Sequence, residues 1–223
     1  MEIFDIKPMR PLILAVAAKM DAKETAKSFG FLTSLGVRLL VASTTRSGSV
    51  STPLANTAKK VYDGSIKSAS DLKKALGSIT PSDTEFRGAF AITRVSTATF
   101  ARYYLRALEM TAKGEKEPWY GPLEDTAIIN LEHVLPKKPE GKWPRFSDDD
   151  VTNYVNRLGN LALMQTSKNS NLRSADFATK KQVYADSPYV LTSQIAELED
   201  WTPGAITSRQ SKMAELSVKT WPI

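Results

Sequence analysis

Apolar residues recur at helical spacing along most of the first half of the chain. "RPLILAVAAKMDAKETAKSFGFLTSLGVRLLVAS" (10–43) predicts two helices, with Pro11 at a first helical position and Asp21 capping the second, Glu24 closing a capping box. "TTRSGSVSTP" (44–53) is a polar loop. "LANTAKKVYDGSIKSASDLKKALGSI" (54–79) predicts two more helices broken at Gly64, the second capped by Ser70. "TPSDTEFRGAFAITRVSTATFARYYLRALEM" (80–110) predicts a longer helical segment, on which Phe86, Phe90, Ala101, Leu105 and Leu108 mark the buried side. Arg94, Arg102 and Arg106 fall on the same or adjacent turns, either as a cationic stripe for phosphate or as a solvated face.

The texture changes after "TAKGEKEPWYGPLED" (111–125), whose Gly, Pro and charge mark a boundary. "TAIINLEHVLP" (126–136) reads as a short apolar strand and "KKPEGKWPRFSDDD" (137–150) as a long polar loop. "DDDVTNYVNRLG" (148–159) reads as a short helix with Asp149 or Asp150 near its start, and "NLALMQ" (160–165) as a second strand. A loop and a helix capped by Ser174 follow. Two further helices lie around 190–200 and 204–218, with Trp201 and Trp221 as buried anchors. The pattern gives an α+β chain, mostly α, with a helical domain over 1–119 and a mixed domain over 120–223.

Composition narrows the possibilities. The chain has 223 residues, is 42% hydrophobic and 24% charged, and carries a net charge of +6 with pI near 9.4. Residues 1–125 hold 18 basic and 13 acidic side chains, a net of +5, against +1 for the remainder. That excess permits a polyanion partner without demanding one. The absence of cysteine excludes disulfides, thiolate zinc sites and cysteine nucleophiles, and suits a reducing cytoplasm. No apolar run approaches about 18 residues, so no membrane span is expected. The first residues, "MEIFDIKPMR", lack the pattern of a secretion signal.

The chain has one histidine, His133, beside Glu132 at the end of the first strand. Two short strands and a helix can form a cup for one divalent cation. A neutral imidazole there takes a proton from water, and oxygen donors hold Mg²⁺ or Mn²⁺ against a phosphate. The candidates are His133 as base, Glu132 as ligand, Asn160 as the amide orienting the imidazole, and Asn169 or Asn171 as second ligand. Neighbours on a regular strand face opposite ways, so Glu132 and His133 share a site only if the strand ends or bulges there. Pro136 makes an ending plausible. Arg173, Lys180 and Lys181 are candidate contacts to a DNA backbone, or solvated helix positions. Phe177 and Tyr184 read as core, and Trp143 as packing beneath the loop after His133.

"LEHVLP", "RLGNLALM", "KNSNLRSADFATKKQVY" and "WTPGAITSRQSKMAELSVKTWP" together resemble the C-terminal nuclease domain of GmrSD-type restriction endonucleases, a branch of the HNH or His-Me finger nucleases. The acid–His pair, the Leu158-Gly159-Asn160-Leu161 run, the asparagine-rich loop, Phe177, Lys180 and Tyr184, and the closing Trp201, Ile206, Arg209 and Trp221 carry the resemblance. It implies a ββα-metal nuclease domain with C-terminal helices behind a helical region. It also implies metal-dependent cleavage or nicking of DNA in a bacterial anti-phage restriction system. Members normally begin with a nucleotide-hydrolysing domain. This chain has no "GxxxxGK[ST]" loop, so a fragment, a split subunit partnered by such a domain, or a minimal relative is expected. Paired cuts leave an oligomer open. The rival reading is a non-catalytic DNA-binding or adaptor module with a decayed nuclease cup.

Overall fold

The computed structural model describes residues 6–42, 49–118, 129–165, 172 and 174–223. The chain divides into two compact units, residues 1–89 with 221–223, and residues 90–220. The expected 119/120 boundary lies outside the described residues, while the compact units divide after Ala89. The described chain is mostly helical with one two-stranded antiparallel sheet, the α+β class read from the pattern. Among the described residues no helix is long and apolar enough to cross a membrane.

The first unit is built from α1 (Arg10–Lys19), α2 (Ala22–Ala42), α3 (Ser51–Tyr62), α4 (Ala69–Leu76) and α5 (Asp83–Phe90), the last up to Ala89. Asp21 caps α2, its Oδ1 accepting from Glu24 N at 2.8 Å. The box is not closed, because the Glu24 carboxylate accepts instead from Ala69 N, 2.8 Å away, and from Lys27. Gly64, at φ +82°, ends the turn after α3. The cap of α4 is Ser68, two residues before the serine expected, and it accepts from Asp71 N at 3.1 Å. Leu12, Val16, Leu32, Leu35, Leu54, Val61 and Leu72 form the core.

That unit also holds the chain's last three residues through a buried arginine. Arg38, on α2, is fully buried and donates to Trp221 O at 2.9 Å, Pro81 O at 3.1 Å and Asp83 Oδ1 at 2.7 Å. Its guanidinium lies 4.7 Å from the Phe86 ring centroid, and Phe86 meets the Trp221 ring edge-on. Burial lowers its proton affinity and Asp83 restores part of it.

In the second unit, the expected helix over 80–110 is interrupted. α5 stops at Phe90, and α6 (Ala98–Ala112) begins eight residues on. The β-branched run between them goes extended: Arg94 bridges to Arg157, and Val95 N donates to Asn156 O at 2.7 Å. The predicted arginine stripe is therefore split. Arg102 and Arg106 are half-buried on α6, while Arg94 is exposed off the helix.

β1 (Ile129–His133) pairs antiparallel with β2 (Leu161–Gln165), from Ile129 opposite Gln165 to His133 opposite Leu161. Between them α7 (Asp148–Tyr154) starts at a capping box of Ser147 and Asp150. α8 (Phe177–Ala185) is capped by Asp176, not Ser174, whose hydroxyl donates to Glu140 instead. The short α9 (Val190–Ser193) and the long α10 (Pro203–Thr220) complete the unit. Glu109 of α6 fixes the start of α9 by accepting from Val190 N and Leu191 N. The core joins Val134, Leu135, Trp143, Phe177, Tyr184 and Trp201, with the Phe177 and Trp201 rings stacked at 5.8 Å. Phe177, Tyr184, Trp143 and both tryptophan anchors occupy the interior positions expected of them.

Arg38→Ala removes two buried hydrogen bonds and a part-buried one, and leaves two carbonyls and Asp83 without this donor. The expected loss is about 3 kcal/mol, read as a lower midpoint in urea unfolding.

Candidate active site

β1 is regular to its end. His133 pairs with Leu161, and Val134 N continues the ladder to Asn160 O at 3.0 Å. There is no bulge, so Glu132 and His133 point to opposite faces of the hairpin. This sets the two residues to different tasks.

Glu132 turns inward and is 5% exposed. Its Oε1 accepts from Lys180 Nζ at 2.5 Å and from Tyr184 OH at 3.2 Å, two groups one turn apart on α8. Lys180 also donates to the main-chain oxygen of His133 at 2.8 Å, so one ammonium ties α8 to both residues of the acid–His pair. Burial pushes the Glu132 carboxyl up and the Lys180 ammonium down, and each partner's charge opposes the shift in the other. Lys180 is fully buried and has no path to a DNA backbone. Lys181 is half-buried and donates to Leu198 O at 2.8 Å, which anchors the end of α8 to the following turn. Arg173, Asn169 and Asn171 lie outside the described residues.

Asn160 is fully buried, and its amide is committed to the main chain and one indole. Oδ1 accepts from Leu135 N at 2.8 Å and Trp201 Nε1 at 3.1 Å. Nδ2 donates to Leu135 O at 3.0 Å and Val155 O at 3.1 Å. Four bonds exhaust its capacity. It shapes the exit from β1 and leaves nothing for the imidazole. The amide that meets the His133 ring is Asn156, four residues earlier.

Around the ring the electrostatics are one-sided. Burial first, then the charges of Lys137 and Lys180, pull the His133 pKa down to about 4, with the Asn156 hydrogen bond opposing them. The imidazole is neutral at physiological pH.

The Leu158–Asn160 turn is fastened by α10. Arg209 donates to Gly159 O at 2.6 Å, Leu161 O at 2.9 Å and Leu191 O at 3.1 Å. Gln210 Oε1 accepts from Gly159 N at 3.1 Å and Arg157 Nε at 2.9 Å, while its amide nitrogen donates to Phe90 O and Thr93 O. A Cβ on Gly159 would collide with Ile206 O and Gln210 Cβ, so only glycine fits against α10.

Glu132, the expected first ligand of a cation, is hydrogen-bonded to Lys180 and Tyr184, and among the described residues no three His, Asp or Glu groups converge. The expected second ligands, Asn169 and Asn171, lie outside the described residues.

The structure thus brings Glu132 and Lys180 together beneath the His133 main chain and commits the Asn160 amide to Leu135, Val155 and Trp201. Asn156, Arg157 and Gln210 were not among the residues expected at the site. Asn156 precedes the Leu-Gly-Asn run by two residues, and no periodicity marks it.

Residues 80–216 match the sequence model of a family described as GmrSD restriction endonucleases, C-terminal domain. No curated protein matches the chain.

Lys180→Ala would leave the Glu132 carboxylate buried without its cation, and is expected to cost about 3 kcal/mol or more in urea unfolding. Gly159→Ala forces α10 off the turn and is expected to destabilise by about 2 kcal/mol or more, with a lowered Tm in calorimetry.

Proposed function

The chain belongs to the family of GmrSD restriction endonuclease C-terminal domains, and from that premise we propose that it cuts or nicks DNA by phosphodiester hydrolysis in bacterial restriction of phage. We assign the reaction to the second unit, residues 90–220, with His133 as the general base. One observation carries this reading: a half-buried, neutral imidazole at the end of β1, beside the Asn156 side chain.

In the reaction, His133 takes a proton from the attacking water as its oxygen closes on phosphorus, and the leaving oxygen departs with the electron pair of the broken P–O bond. A ring with a pKa near 4 is a weak base in the free protein. A phosphodiester anion beside it replaces solvent with negative charge and raises the pKa toward neutrality, so basicity grows as substrate binds. Asn156 is assigned the role of orienting the ring, as amide or carbonyl partners of catalytic imidazoles do. Asn160 and Lys180 act further out, holding the main chain on either side of the ring.

His133→Ala is expected to abolish nicking of supercoiled plasmid while leaving the circular dichroism spectrum and Tm unchanged. Retention of the wild-type rate in that variant overturns the assignment. Asn156→Ala is expected to lower kcat about tenfold to a hundredfold with the fold intact, whereas Asn160→Ala is expected to lower stability by about 3 kcal/mol.

The pH dependence follows from the direction of the His133 shift. A depressed pKa keeps the base form populated as the solution becomes acidic. From pH 7 down to about 5.5, kcat/KM should therefore stay nearly level, where an ordinary histidine with pKa about 6.5 would lose about tenfold.

A further inference from the structure

We propose that Arg94 and Arg157 together form a seat for a DNA backbone phosphate beside the bond on which His133 acts. The proposal rests on the hydrolytic reading of this site and adds to it the residues that would place the strand.

The two arginines stand directly opposite one another in an isolated antiparallel bridge. Like charges at such a position are destabilising, because the side chains leave the same face of the pair only about 5 Å apart. Each guanidinium's charge disfavours the other at this bridge. Neither guanidinium has a carboxylate partner among the described residues. Arg94 donates to Thr152 O at 2.5 Å. Arg157 donates to Gln210 Oε1 and to Ala91 O at 2.8 Å, and lies over the Tyr154 ring at 5.8 Å. Neutral oxygens orient both heads and cancel neither charge. Arg94 is exposed and Arg157 half-buried, so the pair opens to solvent at one end and is anchored at the other.

The bridge also places this charge beside the imidazole. Asn156, whose side chain lies by the His133 ring, precedes Arg157, and its main-chain oxygen accepts from Val95 N at 2.7 Å, so the two segments that present the arginines are hydrogen-bonded at that residue. The charges that act on the ring come from Lys137 and Lys180 and not from these guanidiniums. The seat is therefore assigned to a phosphate other than the one on which His133 acts. A planar, always-charged pair of guanidiniums is well matched to phosphate oxygens.

The test uses the full chain in the His133→Ala background, with a fluorescent duplex DNA whose binding is followed by anisotropy from about 50 to about 200 mM salt. Arg94→Ala is expected to weaken binding roughly threefold to tenfold and to reduce the slope of log K against log salt by about 0.9. Arg94→Lys, which keeps the charge, is expected to retain the slope. Circular dichroism confirms that each variant is folded. An unchanged affinity and slope in Arg94→Ala overturns the seat, as does a chain that binds no duplex at all. Nicking by the unmodified protein, measured alongside, separates the two ideas. Cleavage with Arg94-independent binding removes only the seat. Arg94-dependent binding without cleavage leaves the seat standing and removes the hydrolytic reading.

Discussion

One buried amide organises the hairpin on which everything else is built. Asn160, itself fully buried, spends two donors and two acceptors on Leu135, Val155 and Trp201. Each bond has a modest net value, about 1 kcal/mol, but any one of them lost leaves a dry polar group, and that costs more. The turn into β2, the path out of β1 and the indole of Trp201 are thus locked by a single side chain. α10 closes the same turn from outside through Arg209 and Gln210, and Gly159 admits the close approach. A site on so short a sheet needs this, since a lone two-stranded hairpin is marginal in water.

The strand's alternation then divides labour between neighbours. Glu132 enters the interior and is met by Lys180 and Tyr184, while His133 faces the opposite way. The interior pair is expensive to bury and useful only when complete, which makes it a device for fixing α8 against β1 more than a source of net stability. Its ammonium also reaches the His133 carbonyl and contributes to the positive field on the ring. The acid next to the histidine therefore shapes the imidazole's surroundings through the lysine it holds.

Among the described residues, Lys137, Arg94 and Arg157 each lack a carboxylate partner. Lys137 is exposed on the loop after His133, and Arg94 and Arg157 face one another across the bridge. The net charge of residues 126–223 is only +1, so this character is a matter of placement and not of total. A polyanion is the partner that such a surface completes.

The amino-acid pattern determined which elements form: helical spacing marked the helices of the first unit, and short apolar runs marked both strands, because burial periodicity is written locally. It also determined that His133, Glu132, Asn160, Lys180, Tyr184 and Trp201 belong together, since their order and spacing carried a family resemblance. Tertiary structure alone decided which way each of them points. An unbulged register sent Glu132 inward, a buried turn took Asn160 away from the ring, and a helix face hid Lys180. The contacts that set those directions, from Asn160 to Trp201 or Lys180 to Glu132, join residues about forty or more positions apart. The break between α5 and α6 has the same origin: the segment around Arg94 gives up helical bonds for a partner at Asn156 and Arg157, and no local propensity names a partner so far along the chain.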